Sequence, residues 1–277
     1  MKKLVFLCAV CFCAFTSMAP ATAKNSGDKK FASLLPSLSD EASIVANWVD
    51  SMYNTLQLDS LGLNKNIFFY ACKGYNYLLN QHKLQNTSLL TVCDYTQSST
   101  RKRLYVINLE KGQVLYNTYV SHGKNSGSEF AKNFSNKTDS HKSSLGFMIT
   151  GSTYSGKNGY SMYFEGMEKG INNNVRTRSI VMHGSKYVNE ERADEGNAMG
   201  RSFGCPAVPY KEHKAIIDEI KGGSCFFAYA NDKWYTSTSK VLRAKVEWQI
   251  SMPAEPQFAE SNNATVDTNF RISASLQ

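Results

Sequence analysis

The chain has 277 residues, a formal net charge of +8 and 42% hydrophobic residues, enough for one domain of moderate size plus an extension, with a sizeable buried core. Its 31 lysines and arginines are dispersed without a run of five or six, which argues against a nucleic-acid partner. A mildly basic surface of this kind suits an anionic polymer, as a general tendency only.

The first residues, MKKLVFLCAVCFCAFTSMAPATAKN, pair the positive Lys2 and Lys3 with an apolar stretch over 4–15 that is too short to span a membrane. Ala21-Thr22-Ala23 is a small-x-small cleavage pattern. A secretory signal peptide over 1–23 is expected. Lipoprotein anchoring at Cys11 is less favoured, because bulky Val10 precedes it. Nowhere else is there an apolar run of about 18 residues, so no membrane-spanning segment is expected in the mature chain. The expected location is outside the cytoplasm, in the periplasm or cell envelope.

Residues 24–30 read as a linker. Over 40–56, Val45, Trp48, Val49, Met52, Tyr53 and Leu56 follow helical spacing, with Ser39 or Asp40 as a cap. Residues 66–79 read as a second helix, so 24–86 is a linker and helical extension. Strands are expected at 89–93, 103–109 and 113–120, the last two joined in a hairpin by Glu110-Lys111-Gly112. A long polar loop covers 122–144. Short strands follow at 146–150, 161–165 and 179–183, a helix at 211–221 stopped by Gly222-Gly223, and a strand at 224–229. The main domain is expected over 87–235. A C-terminal extension follows at 236–277, with a disordered composition from about 252. The fold class is mainly β with a few helices, α+β.

If the leader is removed, Cys72, Cys93, Cys205 and Cys225 remain. In an oxidising compartment Cys72 and Cys93 are the candidate disulfide, and Cys225, in an apolar run, reads as a small buried hydrophobe. Among these four there is no CxxC pair and the five histidines are scattered, so no metal site is expected.

The richest stretch is 179–209, SIVMHGSKYVNEERADEGNAMGRSFGCPAVP. His183 ends an apolar strand, and Cys205 follows Gly204. Such residues suit a thiolate nucleophile with a histidine base, and they equally suit a buried cysteine beside an unrelated histidine. On the first reading Gly204 allows close backbone approach. The N–H groups of Phe203, Gly204 and Cys205 then face one pocket as oxyanion donors. No Asp or Asn adjoins His183, so the Gly184 carbonyl is the candidate to orient its ring.

These residues resemble the catalytic domain of bacterial cell-wall L,D-transpeptidases of the YkuD type. That family's signature is His-Gly, a loop, then Ser-His-Gly-Cys. Here His183-Gly184 and Ser202-Phe203-Gly204-Cys205 correspond to it. Val120-Ser121-His122-Gly123-Lys124, Ser143-Ser144-Leu145-Gly146, HGSKYV from His183 and GRSFGCPAVP ending at Pro209 are similar to a murein L,D-transpeptidase branch. The resemblance covers about 89–234. It implies an L,D-transpeptidase-like β-sandwich or barrel with the helices as an N-terminal extension.

It further implies that Cys205 attacks the carbonyl of the third residue of a peptidoglycan stem peptide, with His183 as base. The acyl group then passes to another stem, or to water in an L,D-carboxypeptidase, without metal or organic cofactor. Protein partners are left open. Phe203 stands where the family usually has histidine, and Pro206-Ala207 where it places an apolar residue and then a substrate-binding arginine. Arg201, with Ser202 and His122, is therefore a candidate substrate contact. His213 is expected on the exposed face of its helix. These departures keep a non-catalytic wall-binding scaffold as an alternative. Papain-like wall peptidases place cysteine before histidine. Sortases share the order found here but add an arginine on a strand after the cysteine, where this chain has only Arg243 before its tail.

Overall fold

The structure, a computed structural model, describes residues 38–249. The expected leader, its cysteines, the 24–30 linker and the tail from 252 lie outside the described residues.

Eight strands form one mixed sheet: β1 (Leu89–Asp94), β2 (Leu104–Asn108), β3 (Gln113–Thr118), β4 (Gly146–Gly156), β5 (Gly159–Gly166), β6 (Val181–Ser185), β7 (Ala207–Pro209) and β8 (Cys225–Tyr229). Their spatial order is β3-β2-β1-β8-β4-β5-β6-β7. Central β1 and β8 are buried at every position, which is why both read as unbroken apolar runs rather than alternating ones. They pair parallel, as do β6 and β7; the other neighbours are antiparallel. The β2–β3 hairpin turns at Gly112, whose φ of 59° suits glycine.

The two end strands, β3 and β7, approach each other through the chain that follows β3. Ser121 N–H donates to Ala207 O at 2.8 Å and Ala207 N–H to Ser121 Oγ at 3.3 Å. Gly123 bridges to Ser202. The sheet thus curls into a nearly closed barrel, and the β7 edge is covered.

Among the described residues, 43–249 form one compact unit. Helix α1 (Leu38–Thr55) buries Val45, Trp48, Val49, Met52 and Tyr53. It begins ahead of Ser39 and Asp40, so neither is its cap. Helix α2 (Lys65–Asn80) is capped instead by Asn64, whose Oδ1 accepts from Asn66 N–H at 2.9 Å, and it packs on β1 and β8. Helix α3 (Glu190–Asp194) lies in the loop after β6, and α4 (His213–Ile220) packs on β5 and β6. Helices α5 (Lys233–Thr238) and α6 (Lys240–Arg243) follow β8. Glu168 ties this end to β4: its carboxylate accepts from Phe147 N–H at 2.8 Å, from Tyr235 OH at 3.1 Å and from Ser239 Oγ.

Three expectations are corrected. Cys72, Cys93, Cys205 and Cys225 are all unpaired and buried. Burial raises the pKa of Cys72, Cys93 and Cys225, and nearby Cys225 adds to the rise at Cys72. His213 is buried, not exposed. It lies on the same stripe as Ile216, Ile217 and Ile220, and its Nδ1–H donates to Tyr210 O at 2.6 Å. The 211–221 helix begins only at His213.

Arg103 organises the barrel end nearest the cysteine motif. It is 0% exposed. It donates twice to Val120 O (3.1 and 2.9 Å), once to Gln97 O (2.8 Å) and once to His122 Nδ1 (2.9 Å), and it lies over the Tyr95 ring at 5.2 Å. Arg103→Met removes these donors and leaves buried acceptors unpaired. It is expected to destabilise the protein by about 3 kcal/mol or more, read as a lower urea midpoint at unchanged m. A midpoint equal to wild type would refute that role.

Candidate active site

The parallel pairing of β6 and β7 brings two residues distant in sequence together. His183 registers with Ala207 and Gly184 with Val208. Cys205 enters β7 two residues before Ala207, so the same offset sets it beside Val181. Val181 N–H accordingly donates to Cys205 Sγ at 3.4 Å. Both Cys205 and His183 line one cleft of about 460 Å³, with Ile180, Tyr187, Arg178 and the rim residues Asp139, His141 and Phe203.

His183 is buried, and its Nδ1 lies 3.0 Å from Gly184 O. A carbonyl only accepts, so Nδ1 carries the proton and Nε2 of the neutral ring keeps its lone pair. This is the tautomer a general base requires. Burial lowers the His183 pKa below the ordinary 6.5, and nearby His213 adds to that. Gly184 has to be glycine for another reason: a Cβ there would fall 2.5 Å from His213 Cγ.

Cys205 is 8% exposed. Burial raises its pKa, opposed by the Val181 N–H and the Arg178 charge. Its thiol faces Ser179 O at 3.7 Å. Among the described contacts no hydrogen bond joins it to His183. Burial thus favours the neutral thiol at Cys205 and the neutral imidazole at His183.

The turn before Cys205 is held from both sides. Ser202 N–H donates to His122 O at 3.0 Å, and Lys124 N–H to Ser202 O at 2.8 Å. Ser202 Oγ donates to Cys205 O at 2.7 Å and accepts from Gly204 N–H at 3.0 Å. The Ser202 hydroxyl is therefore committed to the turn, and Gly204 N–H points at it rather than into the cleft, unlike its expected oxyanion role. Gly204 adopts φ +126°, and a Cβ there would lie 2.8 Å from both Ile180 Cδ1 and Lys142 O. Gly204→Ala is expected to cost about 1–3 kcal/mol and to slow Cys205 alkylation. Wild-type stability together with wild-type alkylation would contradict this reading of the turn.

The remaining sequence candidates divide. Arg201 lies on the cleft wall, its exposed guanidinium donating to Gly127 O at 3.1 Å. Phe203 is 66% exposed, packed against His141 with the rings tilted at 31° and centroids 4.6 Å apart, and Lys124 Nζ lies 4.5 Å over its ring. His122 does not line the cleft. It is 1% exposed, and its Nδ1 accepts from Arg103. Burial and that guanidinium push its pKa down to about 4, so it is a neutral packing histidine. Sequence reading missed Arg178, Tyr187 and the 139–141 rim. Among the described residues, no group of three or more His, Cys, Asp or Glu side chains is placed to hold a metal.

A family model described as the L,D-transpeptidase catalytic domain matches residues 59–229. No curated protein matches the chain. Among solved structures, an L,D-transpeptidase from Mycobacterium smegmatis is 12% identical with a TM-score of 0.32, over 52% of this chain and 59% of that one. An L,D-transpeptidase from Xylanimonas cellulosilytica is 16% identical with a TM-score of 0.30, over 50% and 59%. The helical cell shape determining protein Pgp2 from Campylobacter jejuni is 12% identical with a TM-score of 0.35, over 59% and 57%. This chain thus spans less than two thirds of their length. Because the family match covers most of the chain, including both the His183-Gly184 strand and the cysteine motif, the protein belongs to the L,D-transpeptidase catalytic-domain family.

Proposed function

We propose that the protein is an exported, cysteine-dependent peptidoglycan L,D-transpeptidase. The observation that carries this reading is the paired register of β6 and β7. It puts Cys205 and an Nδ1-protonated His183 on the walls of one open cleft. Family membership supports the reaction class.

In the first half-reaction His183 Nε2 takes the thiol proton as Cys205 Sγ attacks the carbonyl carbon of the stem's third residue. The Cys205 N–H, which lies against its own sulfur, and the Phe203 N–H two residues earlier are the proposed oxyanion donors. The imidazolium returns its proton to the departing amine. The terminal D-amino acid leaves, and a thioester remains. In the second half an amine from another stem attacks the thioester, His183 removes its proton, and the Cys205 thiolate leaves and is reprotonated. Water in place of the amine gives the carboxypeptidase product.

Incubation with a disaccharide-tetrapeptide tests this. Terminal D-amino acid is released, with dimer or tripeptide as coproduct. No release under conditions where the protein is folded would refute it. Because the His183 pKa lies below 6.5, the acid limb of kcat/KM is expected to have its midpoint below pH 6.5. A midpoint above that value would exclude His183 as the base in this state.

A further inference from the structure

Arg178 sits just before β6 and lines the same cleft as Cys205 and His183. Its guanidinium reaches across to the 135–144 loop. Nη1 donates to Ser135 O at 2.5 Å and Ser144 Oγ at 2.7 Å; Nη2 donates to Lys142 O at 2.7 Å and Ser140 Oγ at 3.1 Å. Every one of these partners is neutral. Nε is buried with no hydrogen-bond partner. No carboxylate forms an ion pair with Arg178 among the described residues. A half-buried cation without a counter-ion is costly. Cys205, which lines the same cleft, can supply negative charge to it once its proton is gone.

We propose that Arg178 is the positioning cation of this site: it clamps the 135–144 loop as one cleft wall, and its uncompensated charge favours the thiolate of Cys205. The assignment rests on the proposed cysteine chemistry. The direction of the Arg178 effect on Cys205, toward the charged form, agrees with it. Arg178 itself touches neither the sulfur nor, with four donors already committed, a substrate carboxylate. The other titratable or charged groups around Cys205 are His183 on β6, Tyr154 on β4 and Tyr187 after β6. Asp139, His141 and Arg201 line the same cleft, and Asp139 and Arg201 are exposed there.

The test is the pH profile of Cys205 alkylation by iodoacetamide, located by peptide mass spectrometry. Cys72, Cys93 and Cys225 are 0% exposed and stay silent in the folded protein. Arg178→Gln is expected to move the profile to higher pH and to slow alkylation at pH 8 by about tenfold, equivalent to about one pKa unit. Arg178→Lys keeps the charge and loses the fork. Its alkylation profile is expected to stay within about threefold of wild type, while KM for the tetrapeptide rises as the loop loosens. A profile in folded Arg178→Gln that overlays wild type overturns the proposal. So does a tenfold loss in Arg178→Lys, which is the deciding variant if Arg178→Gln does not fold. A wild type that alkylates normally but releases no D-amino acid sinks the transpeptidase reading and leaves the Arg178 result to stand by itself. Turnover in wild type with no Arg178→Gln shift sinks only the Arg178 assignment.

Discussion

Cys205→Ala is expected to lower release of the terminal D-amino acid by at least about 10³-fold in kcat, because it removes the sulfur that the proposed mechanism uses to form the covalent intermediate. The fold is expected to survive. The sulfur's contacts are one 3.4 Å bond from Val181 N–H and a 3.7 Å approach to Ser179 O, and alanine fits the same small space. Thermal unfolding within a few degrees of wild type separates lost chemistry from lost structure. Cys205→Ser is expected to be nearly as inactive, since an alcohol is far harder to ionise than a thiol and is a weaker nucleophile. Release that persists in Cys205→Ala would remove this cysteine from the mechanism.

His183→Gln is expected to cost about 10²–10⁴-fold in kcat, the usual range for a positioned acid–base group. The resting site explains why the loss is large. Burial holds the Cys205 thiol protonated, so a base has to act in the attack, and the Gly184 carbonyl leaves only Nε2 to do so. Raising the pH supplies thiolate without the base. The ratio of wild-type to His183→Gln acylation rates is therefore expected to narrow between pH 7 and pH 9.5. A ratio independent of pH would point to a packing role for His183. A loss smaller than about tenfold would give the base to another group.

Much of the barrel was legible because its central strands are buried on both faces. Leu89–Asp94, Leu104–Asn108 and Cys225–Tyr229 are runs that no amphipathic helix would carry. β7 was not legible: it has three residues, begins just after Pro206 and ends in Pro209, and only an edge position tolerates that. Yet β7 is what sets Cys205 against β6. Cys205 and His183 stood out in the motif, whereas their placement on one cleft depended on a strand too short to predict.

His213 was misplaced although its signal was present, since it heads the stripe completed by Ile216, Ile217 and Ile220. His122 looked like a cleft residue because it lies in a loop. Its burial follows from Arg103, whose contact with it spans 19 positions of sequence. Arg178 had no local signature beyond a basic residue before an apolar strand. Its partners at 135–144 belong to a loop of Ser, Asn and Lys that reads as solvent-exposed.

The central claim is that Cys205 forms the acyl-enzyme. Intact-protein mass spectrometry after incubation with a carbapenem tests it most directly. One added carbapenem mass is expected on the wild type, mapped to the peptide containing Cys205, and none on Cys205→Ala. A folded wild type that gains no mass, or an adduct that forms elsewhere or persists in Cys205→Ala, would contradict it.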